Sequence, residues 1–133
     1  LLILDEPTAG LDPVVRDAFL TILSEFTRDP SHSVLISSHI VSDLEKICDY
    51  IAFLHHGKLM LCEEKDRLLE RYAALGCSAE QLAELNPHAI LSKHVTPYGV
   101  QAIVDRSQVP ADFTLGTLAI EDLFVSMVKG DQS

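Results

Sequence analysis

The sequence has no apolar run long enough to cross a membrane. Its longest unbroken runs, such as Leu1–Leu4 and Tyr50–Leu54, fall far short of the roughly 20 residues a spanning helix needs. A charged segment followed by an apolar stretch and a cleavage site is also missing, so no secretory signal is readable. Cysteine is sparse. Cys48, Cys62 and Cys77 are odd in number and form no Cys-x-x-Cys pair, which predicts reduced, mostly buried thiols rather than a disulfide framework. Positive charge is scarce too: 10 Lys and Arg stand against 20 Asp and Glu, a formal charge of −10. That balance, with no basic cluster longer than two residues, argues against a large nucleic-acid footprint. Repeats and low-complexity segments are absent. What remains is a composition 47% hydrophobic and 23% charged over 133 residues, enough for one modest folded domain. The first residue is Leu, not Met, and the chain opens on Leu-Leu-Ile-Leu. We read it as a piece cut from a longer protein.

Leu1–Asp5 is a short apolar run without alternation, which predicts a strand buried on both faces of a parallel sheet. Pro7 ends it, since proline cannot donate to a ladder. Asp12-Pro13 is a helix start, with an acceptor at the cap and a preset φ behind it. Apolar residues at 14, 15, 18, 19, 22, 23 and 26 form the stripe of an amphipathic helix. Ser33–Ser37 reads as a second strand, leading through Ser38-His39 into a helix with Ile40, Val41, Leu44, Ile47 and Cys48 on one face. Tyr50–Leu54 and Leu59–Cys62 read as a hairpin around His55–Lys58. This alternation predicts an α/β fold with a parallel sheet. Beyond Glu63 the character changes. Glu64–Leu75 reads as a charged helix ended by Gly76. Ser78–Gln81 has a capping-box pattern. Ile90–Val95 and Val100–Val104 are candidate strands around Pro97-Tyr98-Gly99, and Ile120–Val128 is a short amphipathic helix. A boundary is expected near residue 62, with an α/β part at 1–62 and a small α+β appendix at 63–133.

Asp5 and Glu6 end the first strand, at the carboxyl edge where open α/β sheets bind ligands. Two adjacent carboxylates there suit different tasks: one holds a hard cation such as Mg²⁺, the other orients or deprotonates a water for attack on a phosphate. A lone pair of solvated acids would explain a bare hydrophobic-Asp-Glu string equally well. The string continues, however, as Asp5-Glu6-Pro7-Thr8-Ala9-Gly10-Leu11-Asp12-Pro13, and the next strand ends in Ser37-Ser38-His39.

These segments resemble the ATP-binding subunit of an ABC transporter, in its C-terminal part from Walker B onward. Leu1–Glu6 resembles the Walker B segment, Ala9–Asp12 the D-loop, and His39 the switch histidine. Ile47–Leu59 is similar to the family's last core strands. The resemblance covers roughly residues 1–62 and implies part of a P-loop NTPase sheet. It implies that Asp5 holds Mg²⁺ through water, that Glu6 is the general base, that Asp12 and its loop reach the nucleotide across a dimer, and that His39 contacts the γ-phosphate and the attacking water. ATP and Mg²⁺ are the implied cofactors. A transmembrane permease and a second nucleotide-binding subunit are the implied partners, with no nucleic acid. The location implied is cytoplasmic, at the inner face of the cell membrane and touching it only through the permease.

The departures from the pattern are large. No Gly-x-x-x-x-Gly-Lys-[Ser/Thr] phosphate loop, no Leu-Ser-Gly-Gly signature and no glutamine-bearing loop occur in the chain, so the isolated chain is expected to be inactive. His55 and His56 lack the partners of a metal site and read as exposed turn residues. Ile120–Phe124 is similar to a tail of antibiotic-type exporters but equally to any amphipathic helix. Two other readings remain: a soluble ABC-type ATPase of DNA repair or translation, and a regulatory module that has lost catalysis. Proteins of the first kind carry a long coiled coil or a second cassette, and the short acidic Ile120–Val128 tail speaks against both; the intact Glu6 and His39 speak against the second.

Overall fold

A computed structural model describes residues 1–131. The chain is a mixed α/β protein whose backbone contacts divide it into two compact units, Leu1–Cys48 and Asp49–Ser133. In the first unit, β1 (Leu2–Asp5) leads through α1 (Pro13–Phe26) to β2 (Val34–Ser37) and then α2 (Val41–Ile47). β1 and β2 pair in parallel, with Leu2 opposite Val34 and Asp5 opposite Ser37. Parallel strands require a crossover, which α1 supplies. Asp12 caps α1: its Oδ1 accepts from the N–H groups of Val14 and Val15 at 3.0 and 2.9 Å, with Pro13 behind it. Such a cap contributes about 1 kcal/mol. Leu20 and Leu23 are the buried residues of α1, and α1 packs against α2.

The expectation that β1 is buried on both faces is corrected. Ile3 is 67% and Leu35 62% exposed, and the two face each other across the ladder. Among the described residues no layer covers that side of the pair, whereas Leu4, Val34 and Ile36 are half-buried.

The second unit opens with the hairpin β3 (Tyr50–His55) and β4 (Lys58–Glu64). His56 and Gly57 both take positive φ, 51° and 75°, as a two-residue turn between twisted strands requires. α3 (Lys65–Arg71) follows, then β5 (Tyr72–Cys77), α4 (Ala79–Ala83), β6 (Ile90–Thr96), β7 (Gly99–Asp105), β8 (Leu115–Gly116) and α5 (Ile120–Asp131). The sheet order is β6-β7-β5-β8, antiparallel throughout. Leu75, Leu82, Leu85, Val100, Ala102 and Val104 form a core on one face of it. Ser78 and Gln81 make the expected reciprocal capping box, and the hairpin around Pro97-Tyr98 also follows the sequence pattern.

One element differs. The helix expected to run to Leu75 stops at Arg71, and Tyr72–Cys77 is a strand between β7 and β8. Tyr72, Ala73 and Leu75 are 7%, 0% and 2% exposed there. Two ladders and a buried face outweigh the local helical preference of an Ala-Ala-Leu segment. The contact division after Cys48 also lies ahead of the boundary read near residue 62. The hairpin falls in the second unit, where buried Phe53 meets Phe124 of α5 edge-on at 5.0 Å. α5 runs three residues past Val128 to Asp131; residues 132–133 of the 63–133 appendix lie outside the described ones.

Candidate functional site

The four residues singled out from the sequence all lie in the first unit: Asp5, Glu6 and His39 on or next to the carboxyl ends of β1 and β2, and Asp12 at the start of α1. Asp5 is the last residue of β1, exposed, and its Oδ1 accepts a hydrogen bond from the Ser37 hydroxyl. Asp5 and Ser37 are register partners, so their side chains leave the ladder on the same side. Glu6 follows with φ +48°, a left-handed conformation uncommon for a residue with a side chain. Its N–H still donates to Ser37 O at 2.9 Å, but the left-handed turn ends the extended run and redirects the chain into the loop.

The Glu6 carboxylate meets His39 twice. Oε1 accepts from the His39 main-chain N–H at 3.0 Å and Oε2 lies 2.9 Å from Nδ1. An ionised carboxylate only accepts, so this contact requires a proton on Nδ1 and leaves Nε2 turned to other partners. The carboxylate has about four lone-pair directions, and His39 uses two. The pair is open to solvent, with side-chain exposures of 36% for Glu6 and 76% for His39. Ser38 turns the chain: its Oγ accepts from Ile40 N–H at 2.9 Å, ahead of the first turn of α2.

Asp5, Glu6 and His39 are thus brought together at one edge. Among the described residues no hydrogen bond joins Asp12 to that cluster; its carboxylate caps α1. Sequence reasoning took Ser37 for a strand-end residue and missed it as the partner that orients Asp5. It also missed Asp43, which joins Thr8 of the loop between Glu6 and Asp12 to Arg16 of α1. The signal for Asp43 was present, since it is an acidic residue on the apolar stripe of α2, between Ile40 and Leu44.

One exposed carboxylate with a hydroxyl neighbour suits Mg²⁺, which takes few protein ligands and keeps waters. Among the described residues no cluster of three or more His, Cys, Asp or Glu is arranged as a metal cage, and His55 and His56 contact only each other as rings, at 4.0 Å. The expectation of mostly buried cysteines is corrected: Cys62 is exposed, and Cys48 and Cys77 are half-buried; burial pushes the Cys77 thiol up from its ordinary pKa. Among the described residues no helix is long and apolar enough to cross a membrane.

No protein-family model matches the chain. Curated relatives do. The chain is 35% identical over 134 aligned positions to an uncharacterised ABC transporter ATP-binding protein of Bacillus subtilis, covering 97% of this chain and 42% of that protein. It is 44% identical over 66 residues to a lantibiotic transport ATP-binding protein of Streptococcus pyogenes, covering 50% of this chain and 28% of that one. It is 40% identical over 60 residues to a bacitracin transport ATP-binding protein of Bacillus licheniformis, covering 45% and 20%. The chain therefore spans less than half the length of these relatives, and the resemblance to ABC transporter ATP-binding proteins read from its motifs is borne out.

Proposed function

We propose, from this similarity to ABC transporter ATP-binding proteins, that the chain carries the water-activating half of an ATP-hydrolysing transporter subunit. The observation that carries the reading is the pairing of Glu6 with His39 beside Asp5 at one sheet edge. In this reading residues 1–62 are the C-terminal half of a P-loop nucleotide-binding domain and residues 63–133 an appendix to it. The Bacillus subtilis relative, matched over 97% of this chain, supports treating both parts as one piece.

Asp5, oriented by Ser37, would hold Mg²⁺ through water, and the ion would offset charge on the nucleotide phosphates. Glu6 is the general base: its unused lone pairs accept the proton of a water aligned for attack on the γ-phosphate. His39 holds Glu6 through its main chain and Nδ1, and offers Nε2 to the γ-phosphate or the water. Asp12 caps α1 and thereby sets the loop that reaches toward the nucleotide of a second subunit. The phosphate cradle is absent from this sequence, so the isolated chain does not hydrolyse ATP by itself. A transmembrane permease is the partner through which hydrolysis is coupled to transport, and the subunit works at the cytoplasmic face of the membrane without binding nucleic acid.

The test is Glu6→Gln in the full-length protein. The amide keeps size and hydrogen bonding but loses basicity, so steady-state turnover falls by about 10²–10⁴ while equilibrium binding of ATP persists. Turnover close to wild type would remove Glu6 from the role.

A further inference from the structure

Asp43 is 1% exposed on α2, four residues beyond His39, and its side chain meets Thr8 and Arg16. A buried carboxylate is unfavourable unless charge and hydrogen bonds compensate it, so its partners indicate what it is kept for. Oδ2 accepts from the Thr8 hydroxyl at 3.0 Å, and Thr8 is itself 2% exposed. Oδ1 accepts no hydrogen bond; its neighbour is the Arg16 guanidinium, with Nε at 3.4 Å, an ion pair without hydrogen-bond alignment. Thr8 lies in the loop between Glu6 and Asp12, and Arg16 lies in the first turn of α1. One side chain thus ties both ends of the segment that leaves Glu6 to the helix that follows His39. The loop's own main-chain bonds are long, 3.3 Å from Ala9 N–H to Glu6 O and 3.2 Å from Leu11 N–H to Thr8 O.

We infer that Asp43 is a positioning residue for the Glu6–His39 pair, acting through Thr8. The inference rests on the proposed function and names what holds its two central residues in register. Packing alone does not call for a carboxylate, since apolar residues of similar volume commonly replace buried ion pairs without loss. A carboxylate offers two acceptors, one for the loop and one for α1. Asparagine offers a single acceptor and turns an N–H₂ toward either the Thr8 hydroxyl or the Arg16 guanidinium.

The experiment uses the full-length protein. Asp43→Asn and Thr8→Val are each expected to lower kcat for ATP by about tenfold to 10²-fold, the size of effect a misplaced reacting group produces. KM for ATP stays within about twofold, because the contact is made outside the nucleotide. Thr8→Ser keeps the hydroxyl and stays within about twofold of wild type, and the double variant is no slower than the slower single, because both break one contact. Independently of activity, the amides of Ala9 and Leu11 exchange at least about tenfold faster in Asp43→Asn, since the loop loses its anchor. Wild-type kcat in both folded variants, or unchanged amide exchange, would overturn the inference. If Asp43→Asn does not fold, the Thr8→Val and Thr8→Ser pair decides it. Glu6→Gln, measured alongside, separates the two claims: turnover surviving there removes the proposed function, whereas an inactive Glu6→Gln beside a fully active Asp43→Asn removes only this inference.

Discussion

Both carboxylate oxygens of Glu6 are held by one residue, His39, through its main-chain N–H at 3.0 Å and its ring Nδ1 at 2.9 Å. The two lie on loops following different strands. Their approach depends on the parallel register that sets Asp5 opposite Ser37 and on the left-handed turn at Glu6.

Because the two contacts are separable, His39→Ala tests the ring alone. The main-chain N–H still reaches Oε1, so Glu6 keeps half of its support. In the full-length protein, ATP hydrolysis is expected to fall by about 10²-fold or more, the usual scale for losing a proton-handling group. ADP lacks the phosphate that the ring would contact, so its affinity is expected to stay unchanged. Titration of both nucleotides checks this; an equal loss of ATP and ADP binding would make His39 a structural residue.

Asp105, at the end of β7, accepts from the Ser107 hydroxyl at 2.7 Å and the Ser107 N–H at 3.0 Å, with Arg71 Nε at 3.7 Å. The Ser107 hydroxyl first, with its N–H and Arg71 adding to it, holds the Asp105 carboxyl below its ordinary value of 3.8, against the opposing effect of burial. A depressed folded pKa stabilises the fold above the ordinary value, and that stabilisation is lost as pH falls through the folded pKa. Asp105→Asn is therefore expected to lower Tm at pH 7, with the difference from wild type shrinking as pH falls below about 4. Thermal unfolding at pH 7, 5 and 3 measures it; a difference that grows toward acid would contradict the assignment.

Gly99 and Gly76 are opposite cases within one sheet. Gly99 has φ +138°, and a Cβ there would sit 2.9 Å from the Cys77 carbonyl oxygen. Main chain cannot give way cheaply, so Gly99→Ala is expected to cost about 1–3 kcal/mol. A Cβ on Gly76 would meet nothing within 4 Å, so Gly76→Ala is expected to be neutral or to stabilise by up to about 1 kcal/mol. Urea midpoints at unchanged slope rank the two; the reverse order would refute the backbone argument.

The isolated chain is expected to self-associate. Ile3 and Leu35 form an exposed cross-strand apolar pair, and among the described residues β1 and β2 pair only with each other, which leaves their outer edges open. Exposed apolar surface and open edges drive association. Light scattering is expected to give a mass that rises with concentration, and Ile3→Lys combined with Leu35→Glu to reduce it. A monomer of constant mass across the concentration range would count against this.

Local features were legible because their causes are local. Asp12-Pro13 starts α1 and Ser78–Gln81 starts α4 by hydrogen bonds that span two or three residues. His56-Gly57 makes its turn through φ alone. The acids at the end of β1 and the histidine after β2 were readable as a set because a parallel sheet delivers strand ends to one edge.

Tertiary structure decided what residues distant in the chain do to one another. Tyr72–Cys77 leaves the helix for the sheet because its hydrogen bonds come from β7 and β8, and nothing in its own composition demands a strand. Ser37 becomes the partner of Asp5 through strand register, and Asp43 becomes a buried anchor because Thr8 and Arg16 meet it from a segment about 30 residues earlier. Such contacts depend on chain entropy already spent by the surrounding fold, so periodicity and composition carry no record of them.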